Sequence, residues 1–487
     1  MSNQAEIVDF LAGLTSERVE THISSIFLAE NRVYKLKKAV TLPYVDFSSL
    51  EARRKACEAE IALNRRTAPM LYRHIAAVTR ESDGSLALGG AGEVLDWVVE
   101  MNRFDQDQQL DRVALDKDLV QELADAVVSL HAVAEATVKW GGYEGLSSVV
   151  EGNRESFLQA APGIFAESEI EALTARSRAE LDRHHELLEE RRRSGKVRRC
   201  HGDLHLGNIC LIGGRPVLFD AIEFSDSIAC IDVFYDLAFL VMDLDRKGFG
   251  EFAALLLSRW LAATDDFAAL PLLPLMLSLR AAIRSHIVGV TSRSDEARSY
   301  FLRAEAYLCP KPPRLVAVGG LSGTGKSHLA RKLAPLLGAA PGAVVLRSDV
   351  LRKHLMGVSP ETRLPPSAYG EAVTEKVYGL MMGFAEQALR AGQSVIVDAV
   401  SARPRQRADL SYLAARLGVP FAGLWLEAEA EDLKRRIEER RNNASDATIE
   451  VLDRQLDYDL GPMDWARIDS SGPKERTVEK AREVLNV

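Results

Sequence analysis

The sequence predicts two domains of different fold class. An α+β two-lobed domain would occupy residues 1–308, and an α/β three-layer domain with a parallel sheet would occupy residues 315–487. The chain of 487 residues is too long for one ordinary domain. Residues 309–314, CPKPPR, form a Pro-rich linker, because proline neither continues a helix nor donates to a sheet ladder. Before this linker the predicted strands come first and the helices follow them, whereas after it strands and helices alternate along the chain.

In the first domain a small sheet precedes a mostly helical region. The predicted elements are, in order, a hairpin of residues 25–28 and 32–36, a helix over about 48–67, strands up to residue 99, and, after about residue 106, helices interrupted by a strand pair beside Gly213 and Gly214. The strands have β-branched and aromatic residues, and the helices have apolar residues at helical spacing. Such an order predicts a sheet-containing lobe followed by a helical lobe.

In the second domain short apolar runs alternate with helical patterns. The predicted strands are 315–318, 344–346, 395–397 and 423–426, and the predicted helices are 326–337, 367–391 and 404–417. Strands that are apolar on both faces and alternate with helices predict a parallel sheet covered on both sides.

Composition restricts the class of protein further. The hydrophobic fraction of 47% and the charged fraction of 27% are globular values, and the net charge of −9 argues against binding nucleic acid by bulk charge. The five cysteines include no C-x-x-C pair, which indicates a reducing compartment without a disulfide framework. We expect no signal peptide and no membrane span, since the most apolar stretches are interrupted by Asp, Arg or Pro. A cytoplasmic protein is predicted.

Residues 320–327, GLSGTGKS, match the phosphate-loop pattern G-x-x-x-x-G-K-[ST] between a predicted strand and a predicted helix. In this context the backbone N–H groups and the helix N-terminus face an anion. Lys326 would reach the β- and γ-phosphates of ATP, and Ser327 would bind Mg²⁺. The predicted nucleotide-binding residues are Gly320, Ser322, Gly323, Thr324, Gly325, Lys326, Ser327 and His328.

Three further features of the second domain are charged residues that follow or end predicted strands or form a basic run. Asp349 and Arg352 follow the second strand in a D-x-x-R spacing, Asp398 ends the third strand, and residues 434–441 read KRRIEERR. With the phosphate loop, they resemble the small P-loop kinases that include gluconate kinases, zeta-toxin-like kinases and the kinase module of polynucleotide repair enzymes. This resemblance implies ATP-dependent phosphoryl transfer and leaves the acceptor open.

The resemblance also implies roles for these residues. Asp349 would be the catalytic base, Arg352 would hold the acceptor or a phosphate, and Asp398 would order Mg²⁺. The basic helix would be a lid, with Arg436 and Arg440 stabilising the transferred charge. The alternatives are a helix cap at Ser348 or Asp349, a turn residue at Asp398 and a solvated helix face for the basic run.

Residues 201–208, HGDLHLGN, carry the spacing H-x-D-x-x-x-x-N of a kinase catalytic loop. At this spacing Asp203 would orient and deprotonate an acceptor hydroxyl, and Asn208 would hold Mg²⁺. Asp220, delivered by the strand pair that follows, would add a second carboxylate to the metal site.

This loop resembles that of the aminoglycoside phosphotransferase family, also called choline-kinase-like, which reads H-G-D-x-H-x-x-N. The likeness continues through residues 232–238, DVFYDLA, whose Asp232 and Asp236 would brace the loop. The resemblance implies a protein-kinase-like first domain. The whole chain resembles bacterial proteins that join such a domain to a P-loop kinase-like domain. Unlike protein kinases, it has no glycine-rich nucleotide loop between the first strands.

A lysine of the first sheet would fix the phosphates of ATP. Period-two alternation puts Lys35 and Lys37 on one strand face, and the family resemblance favours Lys35. The partner carboxylate would be Glu60 or Glu58 on the next helix. All four could instead be solvated surface charges.

The segment 98–102 would be the hinge that meets adenine, through the backbone of Glu100 and Met101. The sequence therefore predicts a bifunctional ATP-dependent phosphotransferase, each domain transferring the γ-phosphate to a hydroxyl of a small molecule or sugar with Mg²⁺. One alternative is that the P-loop domain phosphorylates a polynucleotide 5′-hydroxyl. The other is that the first domain is a non-catalytic nucleotide sensor that regulates the second.

Overall fold

A computed structural model describes residues 4–42, 45–160, 163–290, 293–439 and 444–487. The strands are β1 (Glu17–Glu20), β2 (Ser24–Leu28), β3 (Arg32–Lys37), β4 (Thr41–Leu42), β5 (Val45–Asp46), β6 (Tyr72–Arg80), β7 (Leu86–Leu88), β8 (Glu93–Asn102), β9 (Val197–Arg199), β10 (Ile209–Ile212), β11 (Arg215–Leu218), β12 (Cys230–Asp232), β13 (Leu315–Gly320), β14 (Val344–Arg347), β15 (Val395–Asp398), β16 (Phe421–Glu427) and β17 (Ala466–Asp469).

The α-helices are α1 (Gln4–Gly13), α2 (Leu50–Asn64), α3 (Lys117–Val133), α4 (Gly142–Ala160), α5 (Glu167–Arg183), α6 (His185–Arg193), α7 (Asp226–Ala229), α8 (Val233–Arg246), α9 (Gly250–Thr264), α10 (Leu273–Val290), α11 (Ser294–Tyr307), α12 (Lys326–Leu333), α13 (Ser348–Leu355), α14 (Glu371–Arg390), α15 (Pro404–Leu417), α16 (Ala430–Glu438), α17 (Ile449–Leu456) and α18 (Lys474–Leu485).

The first sheet is antiparallel and has the strand order β1-β2-β3-β8-β6-β7. The predicted hairpin is confirmed: β2 pairs with β3, and the N–H of Ala29 donates to the carbonyl of Arg32 at 2.8 Å. Helix α2 lies against this sheet and buries Cys57 and Ile61 among apolar strand residues. Two small sheets follow, β10-β11 and β12-β9, of which only the pair beside Gly213 was predicted.

The second sheet is parallel throughout and has the order β14-β15-β13-β16-β17. Strands β13 and β15 are buried along their whole length, which is why they read as continuous apolar runs. The α/β three-layer prediction is confirmed. The fifth strand, β17, was not predicted, because only Ile468 of its four residues is buried. Helix α12 ends at Leu333, before Pro335, and not at residue 337.

The contacts within the chain define two compact units. Unit 1 comprises residues 1–115, 129–148 and 185–240, and unit 2 comprises residues 116–128, 149–184 and 241–487. The Pro-rich segment 309–314 lies within unit 2, and the domain boundary there stays a prediction. Within unit 2, helix α9 packs against the edge strand β14, where the N–H of Val345 donates to Oγ of Ser258 at 2.9 Å.

One helical stretch, Phe267–Val290, is long and apolar enough to cross a membrane by length and composition. Its most apolar 18-residue window has a mean hydropathy of 1.5, but 72% of that window is buried inside the protein. Such burial is typical of a core helix, so this stretch is weak evidence for a membrane span.

Candidate functional site

In unit 1, strand β3 and helix α2 bring together a cluster of buried charges, which we call the ion cluster. Lys35 Nζ donates to Glu60 Oε1 at 2.9 Å and to Asp220 Oδ1 at 2.5 Å. Lys37 Nζ donates to the other oxygen of Glu60 and to Glu223 Oε1. Five charged residues therefore form a row in which Glu60 lies between the two lysines. Glu223 was not predicted; its only sequence signal is an acid within the apolar run AIEF.

Burial and charge act in opposite directions within the ion cluster. Burial opposes the charged form of Lys35, but the carboxylates of Asp220 and Glu60 outweigh it and raise its pKa. Burial also opposes ionisation of Glu60, yet Lys35 and Lys37 lower its pKa to about 2. For Glu223 burial prevails over Lys37, and its pKa is raised.

The geometry separates some of the alternatives that the sequence left open. Lys35 reaches both Glu60 and Asp220, whereas Lys37 is only 1% exposed and lies deeper. Glu58 points elsewhere, since it is 47% exposed and pairs with Arg54. The assignment of Lys35 as the phosphate-binding lysine remains a prediction.

The predicted hinge residues lie inside the sheet. Glu100 and Met101 are part of β8, which pairs with β3 on one side and β6 on the other. The carboxylate of Glu100 pairs with Arg32 at 3.2 Å and Arg73 at 3.0 Å. This placement does not favour adenine binding by their backbone, because both edges of the strand are already paired. The chain leaves β8 after Asn102.

The catalytic-loop residues lie close together. Nδ2 of Asn208 donates to the backbone carbonyl and to Oδ2 of Asp203, both at 2.9 Å. His205 accepts the N–H of Gly207 on Nδ1 at 3.1 Å, and its Nε2 lies 3.5 Å from Asp203 Oδ2. Because the amide nitrogen of Asn208 faces Asp203, its oxygen is the atom that remains to bind a cation.

Asp236 braces the catalytic loop, as the sequence predicted. Its carboxylate accepts the backbone N–H groups of His201 at 3.2 Å and Gly202 at 2.9 Å, and it is fully buried. Asp232 instead binds the buried guanidinium of Arg191, with N–O distances of 2.7 and 2.8 Å. Asp232 therefore anchors helix α6.

Asp220 is the exposed end of the ion cluster. It adopts a left-handed conformation with φ of 62°, and its N–H donates to the hydroxyl of Tyr72 at 3.1 Å. The cluster holds three carboxylates and two ammonium groups. Asp220 is the least buried of the three carboxylates, with 40% of its side chain exposed. Carboxylate and amide oxygens are the ligands that Mg²⁺ prefers, so Asp220 and Asn208 form a fitting donor set.

In unit 2 the phosphate loop follows β13 and precedes α12, as predicted. Gly320 and Gly323 have φ of 137° and 89°, and a Cβ on Gly323 would lie 2.8 Å from the carbonyl oxygen of Leu433. Gly325, with φ of 92°, caps the N-terminus of α12. The loop thus has a backbone shape that only glycine adopts readily, and this shape fits an anion.

The polar groups of the phosphate loop make specific contacts. Nζ of Lys326 donates to the carbonyl of Leu321 at 2.8 Å, so the lysine folds over the loop. The N–H of Ser322 donates to Oε1 of Gln455 at 2.8 Å, which ties helix α17 to the loop. Gln455 carries no motif in the sequence and was not predicted.

A cavity of about 1390 Å³ extends from the phosphate loop across unit 2. It contains the predicted residues together with basic and aromatic side chains. Its lining includes Ser322, Gly323, Gly325, Lys326, Ser327, His328, Asp349, Arg352, Arg363, Tyr369, Asp398, Arg403, Arg436, Asp446 and Gln455. Gly320 and Thr324 belong to the same loop but not to the cavity lining.

Asp349 and Arg352 lie on helix α13 at the cavity wall. The carboxylate of Asp349 makes no hydrogen bond or ion pair within the described part of the chain. Arg352 is 6% exposed, donates to the carbonyl of Ala368 at 2.8 Å and lies over the ring of Tyr369. No carboxylate of the described residues forms an ion pair with it. Asp398 is buried and pairs with Arg347 at 3.2 Å.

The predicted lid arginines are Arg436 and Arg440. Arg436 lines the cavity and donates to the carbonyl of Ser470 at 2.7 Å. Arg440 lies outside the described residues. Beyond it, Asp446 accepts from buried Lys353 at 2.7 Å, from the N–H of Leu364 at 2.9 Å and from the hydroxyl of Tyr369 at 2.5 Å. These bonds attach the segment after the basic helix to the loop between α13 and α14.

Comparison with known proteins gives matches for both parts of the chain. Residues 315–459 match a family described as an AAA domain. Uncharacterized proteins of Mycobacterium tuberculosis (strain ATCC 25618 / H37Rv) and Mycobacterium bovis (strain ATCC BAA-935 / AF2122/97) are 29% identical over 483 residues, covering 95% of this chain and 94% of each relative.

Two solved structures are similar to 36% of the chain. An unliganded sugar kinase from Janibacter sp. HTCC2649 is 22% identical, with 96% of its chain covered and a TM-score of 0.27. A gluconokinase from Sinorhizobium meliloti 1021 is 20% identical, with 96% covered and a TM-score of 0.26. Residues 29–273, half of the 487-residue chain, match the family described as the phosphotransferase enzyme family. The chain therefore belongs to the phosphotransferase enzyme family and is a kinase.

Proposed function

We propose that the protein is a bifunctional kinase with one ATP-dependent site in each unit, each phosphorylating a hydroxyl of a small molecule. The observation that carries this proposal is that each unit holds an anion-binding group, a candidate base and oxygen donors for Mg²⁺, which in unit 2 line one cavity. In unit 1 these groups are Lys35, Asp203 and the pair Asn208 and Asp220. When bound, Mg²⁺ would neutralise the charge of the phosphates.

In unit 1, Lys35 would hold phosphate oxygens, because it is the less buried lysine and already contacts Asp220. Asp203 would orient the acceptor hydroxyl and accept its proton. Asn208 supports Asp203 through two hydrogen bonds and would offer its amide oxygen to Mg²⁺. Asp220 would be the main carboxylate ligand. Adenine would bind where the chain leaves β8, beyond Asn102.

In unit 2, the N–H groups of the phosphate loop and Lys326 would hold the phosphates, and Ser327 and Asp398 would hold Mg²⁺. Asp349 would accept the proton of the acceptor hydroxyl. Arg436 lies beside the loop after β17 and would face the nucleotide. Release of Lys326 from the carbonyl of Leu321 would accompany binding of the phosphates.

The acceptor side of the unit 2 cavity supports an acceptor that carries an acidic group. Arg352, Arg363 and Arg403 line this region, and Arg352 is a buried cation without a carboxylate partner among the described residues. Burying a charge without a counter-ion is costly, so an anionic group of the acceptor would compensate it. At about 1390 Å³ the cavity has room for a nucleotide and a second small molecule.

The test is a screen of hydroxyl-bearing metabolites with the full chain and with each site inactivated in turn. Asp203→Ala should abolish transfer to one group of acceptors, and Lys326→Ala should abolish transfer to another, each by roughly 10³-fold or more. Loss of both activities in one variant would contradict two independent sites. Intact transfer in both variants would contradict the residue assignments.

The two alternative functions give different results in the same assay. If unit 1 is a nucleotide sensor, Lys326→Ala should remove all phosphoryl transfer. If unit 2 acts on a polynucleotide 5′-hydroxyl, the affinity for a short single-stranded DNA should fall steeply with salt. The acidic net charge of −9 argues against the second alternative.

A further inference from the structure

Lys37 and Glu223 are not assigned a role by the family motifs, yet they form the inner half of the ion cluster. Lys37 is 1% exposed and Glu223 has 3% of its side chain exposed. The ammonium group therefore lies too deep to contact a bound phosphate. A buried pair of this kind costs desolvation energy and is weak evidence for stability alone. Stability alone therefore does not explain why Lys37 and Glu223 are paired here.

The arrangement joins strand β3 to one short segment at two points. Asp220 and Glu223 are three residues apart, and they bind Lys35 and Lys37, which are two residues apart on the same face of β3. Glu60 lies between the lysines and binds one with each carboxylate oxygen. The segment 220–223 is thus attached to the sheet at both of its ends.

The segment needs such attachment, because Asp220 adopts a left-handed φ of 62° that an aspartate adopts at some cost. Its first attachment, through Lys35, is the one that a phosphate would compete for. When Lys35 turns toward a phosphate, the contact with Asp220 weakens, and the attachment through Lys37 and Glu223 remains. The N–H of Ala221 donates to Oδ1 of Asn64 at 2.8 Å, and the N–H of Ile222 donates to the carbonyl of His201 at 2.9 Å, which supports the middle of the segment.

We propose that Lys37, through Glu223, is a positioning residue that holds the carboxylate of Asp220 in place for Mg²⁺. This inference rests on the proposed function of unit 1. Lys37 acts on the segment and not on the nucleotide, so its removal changes how much Mg²⁺ strengthens ATP binding. Removal of Lys35 instead weakens ATP binding whether or not Mg²⁺ is present.

The experiment measures ATP binding by calorimetry with Mg²⁺ and with EDTA in full-length protein. All variants carry Gly323→Ala, which obstructs the phosphate loop of unit 2. We expect Lys37→Met to keep the affinity in EDTA and to reduce the strengthening by Mg²⁺ about tenfold, as for other groups that orient metal ligands. Lys37→Arg should retain most of the strengthening of ATP binding by Mg²⁺. The matched control is Lys38→Met, since Lys38 is 29% exposed and pairs with Glu20.

A second variant separates positioning from folding. Lys37→Met with Glu223→Leu removes both charges, and such an exchange of a buried pair is often neutral for stability. We expect the double variant to have the same melting temperature as its parent, the Gly323→Ala protein. Mg²⁺ should still strengthen ATP binding less in the double variant than in the parent. A parent that binds no ATP would overturn the proposed function and this inference with it. A parent that binds ATP, with the full effect of Mg²⁺ in Lys37→Met or in the double variant, would overturn the inference alone.

Discussion

The two candidate sites would hold phosphate by different means. In unit 1 the proposed binding groups are side chains from distant parts of the chain, since Lys35 and Asp220 are 185 residues apart. In unit 2 they are mainly backbone groups of the eight consecutive residues 320–327. The unit 1 site therefore depends on a balance of buried charges. The unit 2 site depends on the free space around the backbone of its glycines. We expect the first to be sensitive to pH and charge, and the second to side-chain volume.

Gly323→Ala should have the largest effect. The new Cβ would lie 2.8 Å from the carbonyl oxygen of Leu433. This oxygen belongs to the backbone of α16, so moving it would distort the helix at a cost in free energy. The φ of 89° adds strain. We expect the affinity of unit 2 for ATP to fall more than 100-fold, which corresponds to about 3 kcal/mol. Calorimetry in an Asp220→Ala background, which weakens the unit 1 site, measures this loss.

The matched control is Gly392→Ala, at the end of α14. Its φ of 83° is similar, but a Cβ there would meet no atom within 4 Å. This variant should cost about 1 kcal/mol of stability and leave ATP binding unchanged. Equal binding losses in the two variants would show that backbone strain, and not the obstructed cradle, is responsible.

Protonation of Glu60 should have the next largest effect. Although burial opposes its ionisation, Lys35 and Lys37 lower its pKa from 4.5 to about 2. A carboxyl with a lowered pKa stabilises the native state above its unfolded pKa, and this contribution is lost as the pH falls from about 4.5 towards 2. The pKa difference corresponds to about 3 kcal/mol. Glu223, whose pKa is raised, acts in the opposite direction.

Urea unfolding between about pH 5 and pH 3 measures this contribution. Unfolding of the wild-type protein should take up about one proton more than unfolding of Glu60→Gln in this range. The matched control is Glu58→Gln, because Glu58 is 47% exposed and lies outside the ion cluster. The same pH dependence in Glu60→Gln as in the wild type would contradict the direction assigned to Glu60.

The difference between the sites also explains what the sequence could predict. The phosphate loop could be predicted whole, because its residues are consecutive and its glycines follow a fixed spacing, and it lies between β13 and α12 as expected. In unit 1 the loop residues Asp203 and Asn208 were proposed from their spacing, and their roles stay a prediction. The choice between Lys35 and Lys37 could not be made from alternation, because both lie on one strand face and share Glu60.

Contacts that join remote segments left no signal in the sequence. Glu223 and Gln455 act through partners far away in the chain, and neither belongs to a motif. Strand β17 was missed because it is an edge strand with one buried residue. Helix α15 was predicted to the residue, because Pro404 begins it and Gly418 follows its last residue. Helix α12 instead ends four residues before its predicted end, and α17 and α18 were not predicted.

Arg259→Met should have the smallest effect and tests whether the unit 2 site depends on helix α9. Arg259 is 8% exposed and binds Asp125 at 2.6 Å and Glu361 at 2.9 Å. Glu361 lies on the loop between α13 and α14, which carries Arg363 and Tyr369 into the cavity. Because both carboxylates are about half exposed, water can replace the arginine. We therefore expect a loss of stability of about 1–2 kcal/mol.

Hydrogen exchange distinguishes a local from a general effect of this substitution. In Arg259→Met, amides of residues 357–365 should exchange faster, while those of β13 and β15 should keep their protection, because both strands are buried along their whole length. Arg390→Met is the matched control, since Arg390 is 60% exposed and pairs with Glu386 on the same helix. Faster exchange throughout the sheet would mean that Arg259 supports the whole of unit 2. Unchanged exchange at 357–365 would mean that α9 does not hold this loop. The unit 2 site would then be independent of α9, which lies within the range 29–273 that matches the phosphotransferase enzyme family.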